Sequence, residues 1–351
     1  MNRPSLSGTA VILALAACAE PAPPPPPTLL GPATDTVVVP VVQVVSATWL
    51  GGDRWASLAV TEARVDVVDF VRRTTAPLTR NAGQLSRPSI VFRAGDTLYI
   101  GDWGLRRLSL WSLDGGFVRA MPAPDALRGA LPSGRDVAGR FLFELAPLPG
   151  RDGSGNRDSA AVVRTAADFS SPDTVARLAP LEVAEVIGDA GHRFERRVLS
   201  GHDEWGVAAE DGSIWVARVY DNRVDWLDPG GNLTGGRPLP DRVLTVTQAD
   251  RDAFLAQFPP ELRATAEQLP FAIVKPPFEA GFSGPGSTVW LEKSRAAIDS
   301  VRQVQVVDRQ GGLARVYEVP SRGRVVGVAP GALVVAEQFK EGVRLLRFRL
   351  P

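Results

Sequence analysis

A block of four short apolar runs, parted by Gly/Asp turns, returns along this chain at a nearly fixed spacing, and few folds accept such a sequence. Residues 88–122 show it most plainly. Pro88-Ser89-Ile90-Val91-Phe92 leads to a Gly95-Asp96 turn, then to Thr97-Leu98-Tyr99-Ile100-Gly101-Asp102. Arg107-Leu108-Ser109-Leu110-Trp111, a turn at Asp114-Gly115-Gly116 and Phe117-Val118-Arg119 complete the block. Each run is rich in β-branched or aromatic residues and is bounded by turn formers, which predicts a meander of four antiparallel strands.

The same order returns in residues 204–240, from Phe278 to Pro320, and from Val325 to Phe348. Two degenerate copies are built on Trp55-Ala56-Ser57-Leu58 and on Phe141-Leu142-Phe143. With the middle of each second strand as marker (Ala56, Tyr99, Leu142, Trp215, Trp290, Val334), the steps are 43, 43, 73, 75 and 44 residues. A period near 43 lies in the ~40–50 range of propeller blades. Neither long step shows a second turn of the marker kind, so the reading is all-β, a six-bladed β-propeller over 36–351. The last copy stops at its third strand, while Thr36 to Val42 is a spare β-branched run before the first copy. An N-terminal strand that closes the last blade accounts for both ends and removes two sheet edges from solvent.

The insertions in the long steps differ. Gly150 to Asp158 is polar and Gly/Asp-rich, suggesting a hairpin tip. Residues 247–270 predict two short helices that cap one rim: Thr247 and Asp250 form a capping-box pair, Phe254 and Phe258 share a face, and Pro260 opens the second helix.

The start of the chain reads as an export signal. Arg3 precedes an apolar stretch from Leu6 to Ala17 that is too short for a bilayer span of ~20 residues. It ends on Leu15-Ala16-Ala17-Cys18, which resembles the bacterial lipobox, and Cys18 is the only cysteine. The resemblance implies a signal peptide over 1–17, lipid attachment at Cys18 and an exported protein held in a membrane. Ala19 in place of Asp implies the outer membrane. Seven of the twelve residues Pro21–Pro32 are proline, so 18–35 reads as an extended tether outside any sheet.

In a propeller the loops entering the first strand and those joining the second to the third share one face. On it fall Arg87, Asp102, Trp103, Arg106, His202, Glu204, Arg218, Tyr220, Asn222, Lys275, Glu279, Lys293, Arg324, Gln338 and Lys340. They form the candidate ligand-binding rim. Lys275, Lys293 and Lys340 are the only lysines among 39 basic residues. Their position favours acidic or carboxylated ligands.

The blade motif Gly-Asp-x-Leu-Tyr-Ile-x-Asp, followed by Arg-Leu-x-Leu and Asp-Gly-Gly, is similar to NHL and YWTD-like repeats, and the chain resembles six-bladed propeller lipoproteins of Gram-negative bacteria. That fold hosts binders, lactonases and lyases alike. Lys+Arg and Asp+Glu both number 39, so bulk charge invites no nucleic acid. Two histidines and one cysteine form no zinc cluster, Cys-His nucleophile or disulfide framework. The leading expectation is a lipid-anchored module that binds a peptide, glycan or protein without a cofactor. The alternative is a hydrolase, lactonase or lyase at the channel mouth. It would use Ca²⁺ held by Glu204, Asn222, Asp102 and Glu279, or His202 as acid/base.

Overall fold

A computed structural model describes residues 23–78, 85–147, 159–188 and 191–351. The signal stretch, Cys18 and the Gly150–Asp158 tip lie outside the described residues.

The repeats fold into six four-stranded antiparallel meanders. Blade 1 is Ser46–Gly51, Arg54–Ala59, Arg64–Asp69 and Thr74–Pro77; blade 2 is Pro88–Ala94, Thr97–Asp102, Arg107–Ser112 and Phe117–Pro122. Blade 3 is Pro132–Arg135, Phe141–Leu145, Ala161–Thr165 and Asp173–Arg177; blade 4 is Glu204–Val207, Ile214–Arg218, Arg223–Leu227 and Leu233–Thr234. Blade 5 is Phe278–Gly284, Thr288–Lys293, Arg302–Val307 and Leu313–Val319. Blade 6 supplies only Arg324–Ala329, Ala332–Phe339 and Gly342–Arg349 in sequence, and Asp35–Val39 pairs antiparallel with the last of these as its fourth strand. First strands of successive blades meet all the way round, blade 6 against blade 1 included. The protein is a closed six-bladed β-propeller.

Core side chains sit between blades. Val37, Val39, Val41 and Val44 of the closing segment pack with Trp55, Val68 and Phe70 of blade 1 and Val334 and Leu345 of blade 6. Arg347 reinforces the seam by pairing with Asp35 at 2.5 Å and with Asp53 of blade 1. The strand tryptophans Trp215, Trp226 and Trp290 are buried. Trp215 Nε1 donates to Ser283 Oγ of blade 5 at 2.8 Å, and Trp226 Nε1 to the Asp308 carbonyl at 3.1 Å. A Cβ on Gly206 would lie 2.6 Å from the Trp215 ring, so the strand beneath that indole needs glycine.

The segment before the ring departs from the expected free tether. Thr28–Leu29 adds to blade 5 as a fifth, parallel strand against Tyr317 and Glu318, and Leu30 is buried in the core between blades 5 and 6. Prolines 23–27 are what remains of the tether among the described residues. They hold the chain extended, so the first residues that can donate backbone N–H groups meet an open sheet edge already in strand conformation.

Both inserts lie on the shared face. The first includes a hairpin, Val183–Gly188 with Gly191–Arg196. The second holds α1 (Gln248–Leu255), opened by the Thr247/Asp250 capping box, and α2 (Pro260–Glu267). Phe254 meets Phe258 and Phe271 edge to face.

Candidate ligand-binding face

Much of the charge predicted for the rim is engaged in holding the loops. Asp102 is fully buried, and its carboxylate accepts the backbone N–H groups of Ser86, Arg87 and Leu105 at 2.6, 2.9 and 3.0 Å. Arg218 bridges Asp203 and Asp225, both at 2.9 Å, and donates to the Arg177 carbonyl. Burial opposes ionisation of Asp225, but Arg223 and Arg218 hold it below the usual carboxylate range. Asn222 takes a left-handed turn (φ 46°) and donates its amide to the Leu239 carbonyl at 2.8 Å. Arg106 pairs with Asp125 in solvent.

Two of the three lysines are engaged in ion pairs. Lys275 is half-buried, and its ammonium lies 2.6 Å from Asp250 Oδ1 and 2.7 Å from the Arg295 carbonyl, tying the capped start of α1 to the loop that follows Thr288–Lys293 of blade 5. Lys293 is 6 % exposed and ion-paired with Asp241 at 2.9 Å. Burial draws its pKa down while Asp241 works against that shift. Lys340 alone of the three is exposed. The expectation of a lysine cluster for acidic ligands is thus corrected: two of the ammonium groups are matched by carboxylates donated from the helical insert and its approach.

Two clusters remain near the channel mouth. His202 sits between Glu204, 2.9 Å from Nε2, and Arg196, 2.9 Å from Nδ1. The Glu204 hydrogen bond raises the imidazole pKa against the opposing effect of burial and of Arg196. Nearby, Trp205 Nε1 donates to Glu144 Oε2 at 2.8 Å. In the second cluster Arg302 reaches Glu292 at 2.5 Å and Glu279 at 3.1 Å. Glu292 is fully buried, and desolvation together with the Glu279 charge pushes its pKa up to about 7 despite Arg302. Arg196, Glu144, Asp203, Glu292 and Arg302 were missed at the sequence level. The run Val289-Trp290-Leu291-Glu292-Lys293 offered the one usable signal, charges following directly on buried strand positions.

The oxygens needed for a cation site do not assemble. Asp102 is saturated by backbone amides and Glu279 is turned to Arg302, while Asn222 donates its amide to Leu239 and keeps a buried Oδ1 without a hydrogen-bond partner. Among the described residues no three His, Cys, Asp or Glu side chains are placed to share an ion.

The face is instead marked by apolar exposure. Val42, Trp103, Tyr220, Val243, Ile273 and Ile298 are 54–86 % exposed on its loops and inserts, with Val45, Val60, Leu105, Ile187, Leu262 and Val274 exposed beside them. On the opposite side Val71 and Val137 are exposed in the turns, and Phe117, Val118 and Leu233 at the starts of the outer strands that leave them, a smaller set among the described residues. Arg324 is also exposed, and Tyr220 tethers its hydroxyl to the Pro180 carbonyl while its ring stays in solvent.

No family model matches the chain, and no curated protein does. Solved structures do. A member of the DUF4221 family from Bacteroides vulgatus shares the fold at a TM-score of 0.52, with 9% identity over 90% of this chain and 96% of that one. Virginiamycin B lyase from Staphylococcus aureus gives 0.46 with 9% identity over 90% and 99% of the two chains. Regucalcin, a calcium-binding protein from Agrobacterium tumefaciens, gives 0.44 with 11% identity over 92% and 97%. At such identities the likeness speaks to the fold alone.

Proposed function

We propose that this protein is a lipid-anchored, exported binding module whose shared face docks a protein partner through an apolar surface. The observation that carries this reading is the unequal exposure of large hydrophobic side chains on the two faces of the ring. Surfaces of that kind mark interaction sites, because leaving them in water is unfavourable. The neutralised rim agrees with it: interfaces bury aromatic and aliphatic groups at their centre and keep charge at the edge. The lipobox-like Leu15-Ala16-Ala17-Cys18 and the proline run supply the anchor and spacer, and the NHL-like repeats suit a scaffold that presents loops.

The acid/base alternative is the weaker reading. Both nitrogens of His202 are occupied, one by Glu204 and the other by Arg196, so neither addresses open space. The Ca²⁺-assisted version lacks a converging ligand set.

The test is a pair of charge-insertion variants. Trp103→Glu with Ile273→Glu should abolish partner binding, since buried interface anchors are worth ~2 kcal/mol or more each. Val71→Glu with Val137→Glu on the opposite face should leave binding intact. All four positions are exposed, so melting temperatures should hold. Equal loss from both pairs would refute the assignment. For the anchor, Cys18→Ser should abolish labelling by radioactive palmitate; equal labelling of both forms would exclude lipid attachment there.

A further inference from the structure

The tether joins the ring at one place on its circumference. Thr28–Leu29 is the fifth and outermost strand of blade 5. Just before it, Pro24, Pro25 and Pro27 line a cleft shared with Arg242 and Ile298. Cys18 stands six residues before Pro24, and full extension limits six residues to about 20 Å. A domain of this length has a radius of gyration of about 20 Å. A lipid on Cys18 therefore keeps the outer edge of blade 5 beside the bilayer, because so short a leash cannot reach round to blade 2 on the opposite side of the ring.

The surface at that edge suits a bilayer. Leu29, Val243 and Ile298 are 64–86 % exposed. Leu29 belongs to the added strand, Ile298 lines the cleft, and Val243 lies between Arg242 and Leu244, which line it too. Arg242, Arg315 and Arg322 are exposed, and none pairs with a carboxylate among the described residues. Arg315 lines the neighbouring groove with Pro25, Pro26 and Tyr317, and the Arg322 carbonyl accepts from Arg295 of the cleft wall at 3.2 Å. The carboxylates are less available: Asp241 is matched by Lys293 at 2.9 Å, and Asp299 and Glu318 are half-buried. Exposed aliphatic groups among unpaired guanidinium groups complement anionic phospholipid, whose headgroups attract the charge while the acyl boundary accepts the side chains.

We propose that the outer edge of blade 5 lies against an anionic bilayer, so that the ring is held by one edge with blade 2 and Trp103 farthest from the membrane. This rests on lipid attachment at Cys18. It assigns Val243 and Ile298 to the membrane and leaves Trp103, Tyr220 and Ile273 to the partner. The test uses the mature acylated protein in vesicles of equal parts phosphatidylglycerol and phosphatidylcholine. Acylation occupies the Cys18 thiol, so a cysteine introduced by Ile298→Cys, or by Val118→Cys on the outer strand of blade 2, takes a nitrobenzoxadiazole label alone. Both positions are exposed, so both variants should fold. Lipids spin-labelled near the headgroup should quench the label at 298 at least threefold more than the label at 118. Arg242→Glu with Arg315→Glu should reduce quenching at 298 at least twofold. Failure of the protein to float with the vesicles would overturn the anchor and the edge assignment together. Flotation with equal quenching at 298 and 118 would leave the anchor standing and overturn the edge assignment alone. Undiminished quenching in the arginine variant would overturn the recognition of anionic lipid.

Discussion

His202 meets opposite demands at its two nitrogens. Glu204 favours an imidazolium, whereas Arg196 at Nδ1 requires an acceptor and therefore a neutral ring. The balance raises the pKa. A histidine whose folded pKa exceeds its unfolded value adds stability that is fully present below the unfolded pKa, near 6.5, and is lost as pH rises through the folded value. The Glu204→Gln variant should therefore show a lower His202 pKa by NMR titration and lose that acid-side increment. An unchanged titration would remove Glu204 as its cause. Glu292 acts in the same sense, but through desolvation and not through a hydrogen bond. Its folded pKa of about 7 lies above the ordinary glutamate value of 4.5, so between those values the native state holds a proton that the unfolded chain has released. Stability should fall between those values as pH rises, by at most ~1.4 kcal/mol per pH unit. Denaturant titrations across this range should show the slope in the wild type and its absence in Glu292→Gln. Equal slopes in the two proteins would place the proton elsewhere.

The seam and the added strand decide how elements share the load. Removing 36–46 should unfold the ring, because it takes away the fourth strand of blade 6 and the valines packed on Trp55 and Phe70. Truncation before Thr28 should leave the melting temperature unchanged, whereas truncation through Gly31 should lower stability by ~1.5–3 kcal/mol through loss of buried Leu30. Equal melting of the two truncations would show that the parallel strand contributes nothing. The meanders were legible because each strand end carries its own local turn chemistry, as at Gly95-Asp96 and Asp228 to Gly231. The capping box that opens α1 was legible for the same reason. The Thr28–Leu29 strand was hidden by its prolines, since pairing there depends on an edge supplied almost 300 residues later. The hairpin at 183–196 has no clean signal, because Val183-Ala184-Glu185-Val186-Ile187 mixes apolar and charged residues on one face. Rim side chains were placed on the proper loops by topology, but their partners come from distant segments. Nothing near Lys293 in sequence announces Asp241, and nothing near Arg218 announces Asp203.

As a whole, the molecule is a ring with two unlike faces. The turn face is built from Asp and Gly caps, such as Asp308, whose Oδ1 accepts from Gln310 and Gly312 at 2.9 and 2.8 Å. The other face carries the inserts and the exposed Trp103, Tyr220 and Ile273. Closure without a disulfide holds these loops in fixed relation, which is what a preorganised binding surface needs. Site-specific photo-crosslinking in intact cells tests the central assignment most directly, with a benzophenone amino acid placed singly at 103, 220, 273, 71 or 137. The three shared-face positions should each give an adduct of one common mass, and 71 and 137 should give none. Adducts of that mass from the turn face, or no adduct from any shared-face position, would contradict a partner-binding face on this side of the ring.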